Sequence, residues 1–203
     1  VIQGGLAGCI YASMQDELVI SGNQLSTNNT SSSGIFLSQC TGAFRITSNT
    51  IAIEGGAGNA FGLYLSSCQG TAANPAQISN NFVSTVCDNL SAGMILLSGN
   101  HLNVDFNNIF TRDNSSVVSQ SGAFYISSIA NTNIRNNVAY AHTFGTAIRL
   151  LSSGTNLTFD YNNYYSNTGE LAFLGSSQTT LADWQAASGQ DANSISINPQ
   201  YTS

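Results

Sequence analysis

The chain contains no lysine; its four basic residues are all arginine, Arg45, Arg112, Arg135 and Arg149. Only 7% of its 203 residues are charged, and ten acids leave a net charge of −6. So little positive charge offers no electrostatic footprint for nucleic acid or for an anionic membrane surface. No apolar run reaches the roughly 18 residues that a membrane span requires. The four cysteines form no CxxC pair and lie at no metal-ligand spacing from the two histidines, His101 and His142, so no metal and no cofactor is expected. What the chain has in abundance is neutral hydrogen-bonding capacity, with 24 asparagines and 29 serines. Such a surface suits water, glycans or a neighbouring protein.

One short pattern recurs six times: LVISGNQL (18–25), FRITSNTI (44–51), AQISNNFV (76–83), LNVDFNNI (102–109), TNIRNNVA (132–139) and LTFDYNNY (157–164). The copies align on Asn23, Asn49, Asn81, Asn107, Asn137 and Asn162, spaced by 26, 32, 26, 30 and 25 residues. That range of periods marks a stacked repeat array. Three residues before each asparagine stand Ile20, Ile46, Ile78, Val104, Ile134 and Phe159; two after stand Leu25, Ile51, Val83, Ile109, Ala139 and Tyr164. Apolar residues alternating with polar ones read as strands with one buried face. A second strand signal precedes most copies, as in Gly34-Ile35-Phe36-Leu37, Gly62-Leu63-Tyr64-Leu65 and Gly93-Met94-Ile95-Leu96.

Each repeat therefore holds two or three short strands and has no room for a crossover helix. Stacking equivalent strands in parallel, about 4.8 Å per step, explains the constant register better than hairpins do. The aligned asparagine is expected at a sharp corner, where its side chain tolerates a left-handed backbone. It is also expected to pass amide hydrogen bonds from coil to coil. With these residues in view, the chain resembles the right-handed parallel β-helix, pectin-lyase-like superfamily, in particular the C-terminal coils of secreted bacterial surface-type members. The expected fold is all-β, a right-handed solenoid of six to seven coils over residues 1–174 with a cap over 175–203. Such a rod would be about 30 Å long. The resemblance further implies a piece of a longer protein, secreted or at the cell surface.

The tail reads as that cap. Thr180 with Asp183 three residues later suits a helix start, Leu181 and Trp184 share a face, and Gly189 ends the helix. Cys40 and Cys68 occupy one register, where the spacing of parallel neighbours favours a stacked, reduced pair over a bridge.

Two outward files could bind a ligand. Asp105, Arg135 and Asp160 fall on consecutive coils, where Arg135 would offer its planar fork to an acidic or hydroxylated sugar. The same file also reads as a surface ion-pair ladder worth at most about 1 kcal/mol per exposed pair. Tyr11, Phe36, Tyr64, Ile95, Tyr125 and Arg149 form a second file. It would serve as a platform for sugar rings or a partner, unless segments 69–75 or 112–121 cover it.

Two functions remain open. One is a non-catalytic region serving glycan binding, adhesion or spacing. The other is the C-terminal part of a polysaccharide lyase or glycoside hydrolase acting on acidic polysaccharide. The resemblance implies that lyases of the superfamily use a lysine or arginine base, often with calcium held by clustered acids, and that hydrolases use paired aspartates. Here there is no lysine, and no two aspartates are adjacent. Arg135 between Asp105 and Asp160 would hold both ionised, which opposes a general acid. The first function is therefore preferred.

Overall fold

The computed structural model describes residues 2–3, 8–114, 121–152 and 154–201. Strands make up 56% of the chain and helix 4%, so the fold is all-β, wound as a solenoid of about six turns. Each full turn places one strand in each of three sheets. The six-stranded sheet contains Val19–Ser21, Arg45–Thr47, Ala76–Ser79, Leu102–Asp105, Ala130–Arg135 and Thr155–Asp160. After a tight corner the chain enters the seven-stranded sheet of Ile2–Gln3, Gln24–Thr27, Thr50–Gly56, Phe82–Cys87, Asn108–Asp113, Val138–Ala141 and Asn163–Ser166.

A loop then leads to the eight-stranded sheet. Its strands are Gly8–Ser13, Ser32–Ser38, Ala60–Ser66, Ser91–Leu97, Gly122–Ser127, Thr146–Leu150, Ala172–Leu174 and Ser176–Gln178. Neighbouring strands pair in parallel, except that the last two run antiparallel and so end the stack.

The register is the one the repeat implies. Ile20, Ile46, Ile78, Val104, Ile134 and Phe159 are successive partners in the six-stranded sheet. Leu25, Ile51, Val83, Ile109, Ala139 and Tyr164 are successive partners in the seven-stranded one. All twelve are buried. Each large aliphatic member contributes roughly 1.5–3 kcal/mol through burial. No coil can bury that face alone, so cohesion is between nearest neighbours.

The glycines before the outward aromatic positions answer to packing. Gly34, Gly62 and Gly93 face Ile51, Val83 and Ile109 across the core, and a methyl at Gly62 would collide with Val83 Cγ1 and press on the Gly93 carbonyl. Gly62→Ala is therefore expected to destabilise the fold by about 1–3 kcal/mol through overpacking, read as a lower urea midpoint at unchanged slope.

The corner corrects one expectation. None of the ladder asparagines takes a left-handed backbone. The residue before each one does: Gly22, Ser48, Asn80, Phe106, Asn136 and Tyr161, with φ between 55° and 69°. The asparagine is needed for its amide instead. Asn23, Asn49, Asn81, Asn107 and Asn137 each donate Nδ2–H to Oδ1 of the next member at 2.9–3.1 Å. The same Oδ1 also accepts the backbone N–H of the donating residue. From Asn49 onward, Nδ2 also donates back to Ile20, Ile46, Ile78, Val104 and Ile134 carbonyls. These interior amides are buried, and the ladder meets their hydrogen-bonding needs without water.

The ladder ends on a carboxylate. Asn162 donates Nδ2–H to Asp191 Oδ1 at 3.1 Å and its backbone N–H to Ser194 Oγ at 2.8 Å, while Ser194 donates to Asp191. Trp184 Nε1–H donates to Asp191 Oδ2 at 2.7 Å. Trp184 sits on the helix Leu181–Ser188, fully buried and edge-on to Phe159. Thr180 and Asp183 form the expected capping box, and Gly189 closes the helix in the left-handed conformation. Beyond it, Ile195 pairs with the strand Asn163–Ser166, and Tyr201 packs against Phe82, Phe110 and Tyr140. Cys40 and Cys68 are buried free thiols, as their register implied, and burial raises the Cys68 thiol to about 11.

Candidate functional site

The left-handed corner connects the six- and seven-stranded sheets, and the residue two before each ladder asparagine leads into it. Asp105 pairs with Arg135 and Arg135 with Asp160, so the charged file exists as read from the sequence. Its two acids are not equivalent. Burial pushes the half-buried Asp105 carboxyl up and Arg135 draws it only partly back, so Arg135 does not hold both acids low as the sequence had implied. For Asp160 burial is again the largest single influence, but it is outweighed by the combined hydrogen bonds from the Asn193 side chain and backbone, each 2.8 Å, and from the Tyr161 backbone, with Arg135 adding to them. These hold its carboxyl below the ordinary range. Asp160 thus also ties the C-terminal cap to the last coil. Arg135 itself is exposed.

The corner brings two residues beside this file that the sequence reading did not select. Phe106 and Tyr161 directly follow Asp105 and Asp160, and each is 57% exposed. Beside Tyr161 lies a shallow depression of about 380 Å³, bordered by Asn136, Asn163, Asn193 and Ile195. The available signal was the step of one residue from the aligned asparagine, which lists Phe106 and Tyr161 among Gly, Ser and Asn.

The second file runs along the outer face of the eight-stranded sheet. Tyr11, Phe36, Tyr64, Ile95, Tyr125 and Arg149 are successive partners, and Phe173 continues the line. Three rings at one end are stacked: Tyr11 on Phe36 with centroids 5.1 Å apart and planes 7° apart, Phe36 on Tyr64 at 4.9 Å and 21°. Tyr11 is 70% exposed; Phe36 and Tyr64 are half-buried. Phe61 leans on Tyr64 at 5.8 Å.

Ile95 interrupts the line because it is buried. Of the segment 112–121 considered as a cover, residues 115–120 lie outside the described residues. At the other end Arg149 lies 4.1 Å above the Phe173 ring. Burial lowers the affinity of its guanidinium for the proton, opposed by Tyr125 and Glu170 nearby. Its buried Nε has no hydrogen-bond partner among the described residues.

A third aromatic group, on the seven-stranded sheet, includes Phe110, Tyr140, Tyr165 and His142. The chain's own tail covers part of it through Tyr201, whose hydroxyl donates to Asn108 Oδ1 at 3.2 Å. Burial of Tyr201 raises its phenol to about 12. That face is partly filled, whereas Tyr11, Phe36 and Tyr64 keep open ring surface.

Among the described residues no group of three or more His, Cys, Asp or Glu side chains could hold a metal ion, and no helix is long and apolar enough to cross a membrane. The chain is a parallel β-solenoid with asparagine side-chain stacking. No protein-family model, no curated protein and no solved structure matches it.

Proposed function

We propose that this solenoid is a non-catalytic, carbohydrate-binding region of a secreted or cell-surface protein, in the manner of the pectin-lyase-like β-helices it resembles. The observation that carries the reading is the stacked run Tyr11–Phe36–Tyr64, which opens to solvent at Tyr11. The exposed Tyr11 ring, with the half-buried Phe36 and Tyr64 stacked behind it, gives apolar area to the flat face of a sugar and has no charge to neutralise. Aromatic surface of this kind, fixed on strands, is held without conformational cost on binding. The surrounding serines and asparagines supply donors and acceptors for hydroxyl groups.

The competing reading, part of a polysaccharide lyase or hydrolase, would need Asp105 and Asp160 to act as a catalytic pair. Two coils separate them by roughly 9–10 Å, at the upper end of the range for paired glycosidase carboxylates, and the guanidinium of Arg135 stands on the coil between them.

The test is affinity electrophoresis against soluble polysaccharides, with reducing ends and unsaturated uronate absorbance followed in parallel. Tyr11→Ala combined with Tyr64→Ala is expected to weaken retardation about tenfold or more, the equivalent of 1.4 kcal/mol, without product release by either protein. Turnover by the wild type would replace this reading with the enzymatic one, and undiminished binding by the double variant would remove the ring file from it.

A further inference from the structure

We propose that Phe106, Arg135 and Tyr161 form a second carbohydrate site, at the corner of the six- and seven-stranded sheets, and that its ligand is a neutral glycan. Only the class of partner rests on the reading above; the residues and the face are different.

The backbone at this corner is strained. In the corner column, Gly22, Ser48, Asn80 and Asn136 are small or amide-bearing residues, of which Gly and Asn take the left-handed conformation most readily. Phe106 and Tyr161, at φ 58° and 57°, are bulky residues in the same place. A bulky residue there is uncommon, and strain of this kind collects at binding and active sites. Packing does not require the two rings, because both are 57% exposed. The column would be easier to fold with Asn at both positions, yet it exposes two aromatic side chains on either side of Asn136, next to Arg135.

Charge selects the ligand. The file alongside the rings holds Asp105, Arg135 and Asp160, a net negative set on a protein of net charge −6. A uronate or phosphate brought to Arg135 would meet both carboxylates about 4.8 Å away on the adjacent coils. A neutral sugar meets no such opposition. Its hydroxyls can accept from the guanidinium and donate to the carboxylates. Each oxygen of Asp160 already accepts an Asn193 bond and retains further lone-pair capacity.

The depression of about 380 Å³ beside Tyr161 carries the exposed Asn136 and the amides of Asn163 and Asn193 at its rim. Phe106 and Tyr161 are two coils apart along the rod axis, a spacing that suits one extended chain crossing Asn136 and passing beside Arg135.

The experiment uses affinity electrophoresis with a glucan, a mannan, a xylan and polygalacturonate, on the wild type, the Phe106→Asn/Tyr161→Asn double variant and the Tyr11→Ala/Tyr64→Ala double variant. Expected are retardation of the wild type by at least one neutral polysaccharide in preference to polygalacturonate, and binding about tenfold weaker or more in the corner variant. The corner variant should also show a higher urea midpoint, since Asn relieves the backbone. That pairing of gained stability with lost binding is not expected from simple structural damage. Undiminished binding by the corner variant, or preference for polygalacturonate, overturns the proposal. If only the corner variant loses binding, the corner stands and the Tyr11–Tyr64 face falls. If only the Tyr11/Tyr64 variant loses it, the reverse holds. If no polysaccharide retards the wild type, both fall.

Discussion

Asn107→Ala is expected to cost about 3–5 kcal/mol, because buried donors and acceptors left unpaired cost about 1–3 kcal/mol apiece. The change removes the acceptor that serves both Asn81 Nδ2–H and the Asn81 backbone N–H. It also removes the donor to the Ile78 carbonyl and one of the two donors to Asn137 Oδ1. All of this happens where exposure is near zero, so water does not substitute. The same change at Asn23, the half-exposed first member of the ladder, is expected to cost about 1 kcal/mol. Urea unfolding of the two variants side by side is the check. Equal losses at both positions would show that the asparagine matters locally and not as a member of a connected file.

The second large effect belongs to Asp191. Asp191→Asn changes one atom, yet it is expected to destabilise by about 1–3 kcal/mol. Three donors, Asn162 Nδ2, Trp184 Nε1 and Ser194 Oγ, converge on the carboxylate. An amide has one acceptor oxygen, and its NH₂ would point at either the Trp184 N–H or the Asn162 and Ser194 donors. Asp191→Ala should cost more, about 3–5 kcal/mol, by leaving several buried donors unpaired.

The carboxylate also confers a pH dependence. Burial, first among its influences, raises the Asp191 carboxyl against the three hydrogen bonds that lower it. A carboxyl raised in the folded state favours folding when protonated. The associated stability is complete below the unfolded value near about 3.9 and is lost as pH rises through the folded value. The gap between wild type and Asp191→Asn should therefore widen as pH falls. A gap that closes instead would mean that the hydrogen bonds outweigh the burial.

The winding was legible in the sequence because a parallel solenoid repeats one environment. Ile46, Ile78, Val104 and Ile134 stand in equivalent places, and so do their residue types. The reason given for the asparagine was half right. Its amide stacking was legible, but its backbone role belongs to its neighbour, since Gly22, Ser48 and Asn80 absorb the turn. Asp191 continues the spacing 29 residues after Asn162, but its departure from asparagine hid it until the cap's donors were in view. The file Asp105–Arg135–Asp160 was legible from register alone. The extra bonds from Asn193 to Asp160 were not, because they join residues 33 apart through the geometry of the cap. Phe106 and Tyr161 were invisible to hydrophobic patterning, which assigns an aromatic to the interior.

The asparagine file has a direction: every side-chain amide in it gives one hydrogen to the next member toward the C-terminal end. An arrow of this kind requires a terminus that only receives, and Asp191 supplies it. Nothing in the file counts its own members. A duplicated turn spliced between Asn81 and Asn107 would meet compatible chemistry above and below, and the terminating machinery near Trp184 would need no redesign. The rod could thus lengthen or shorten by whole turns, each shifting the surface files apart by a single strand spacing.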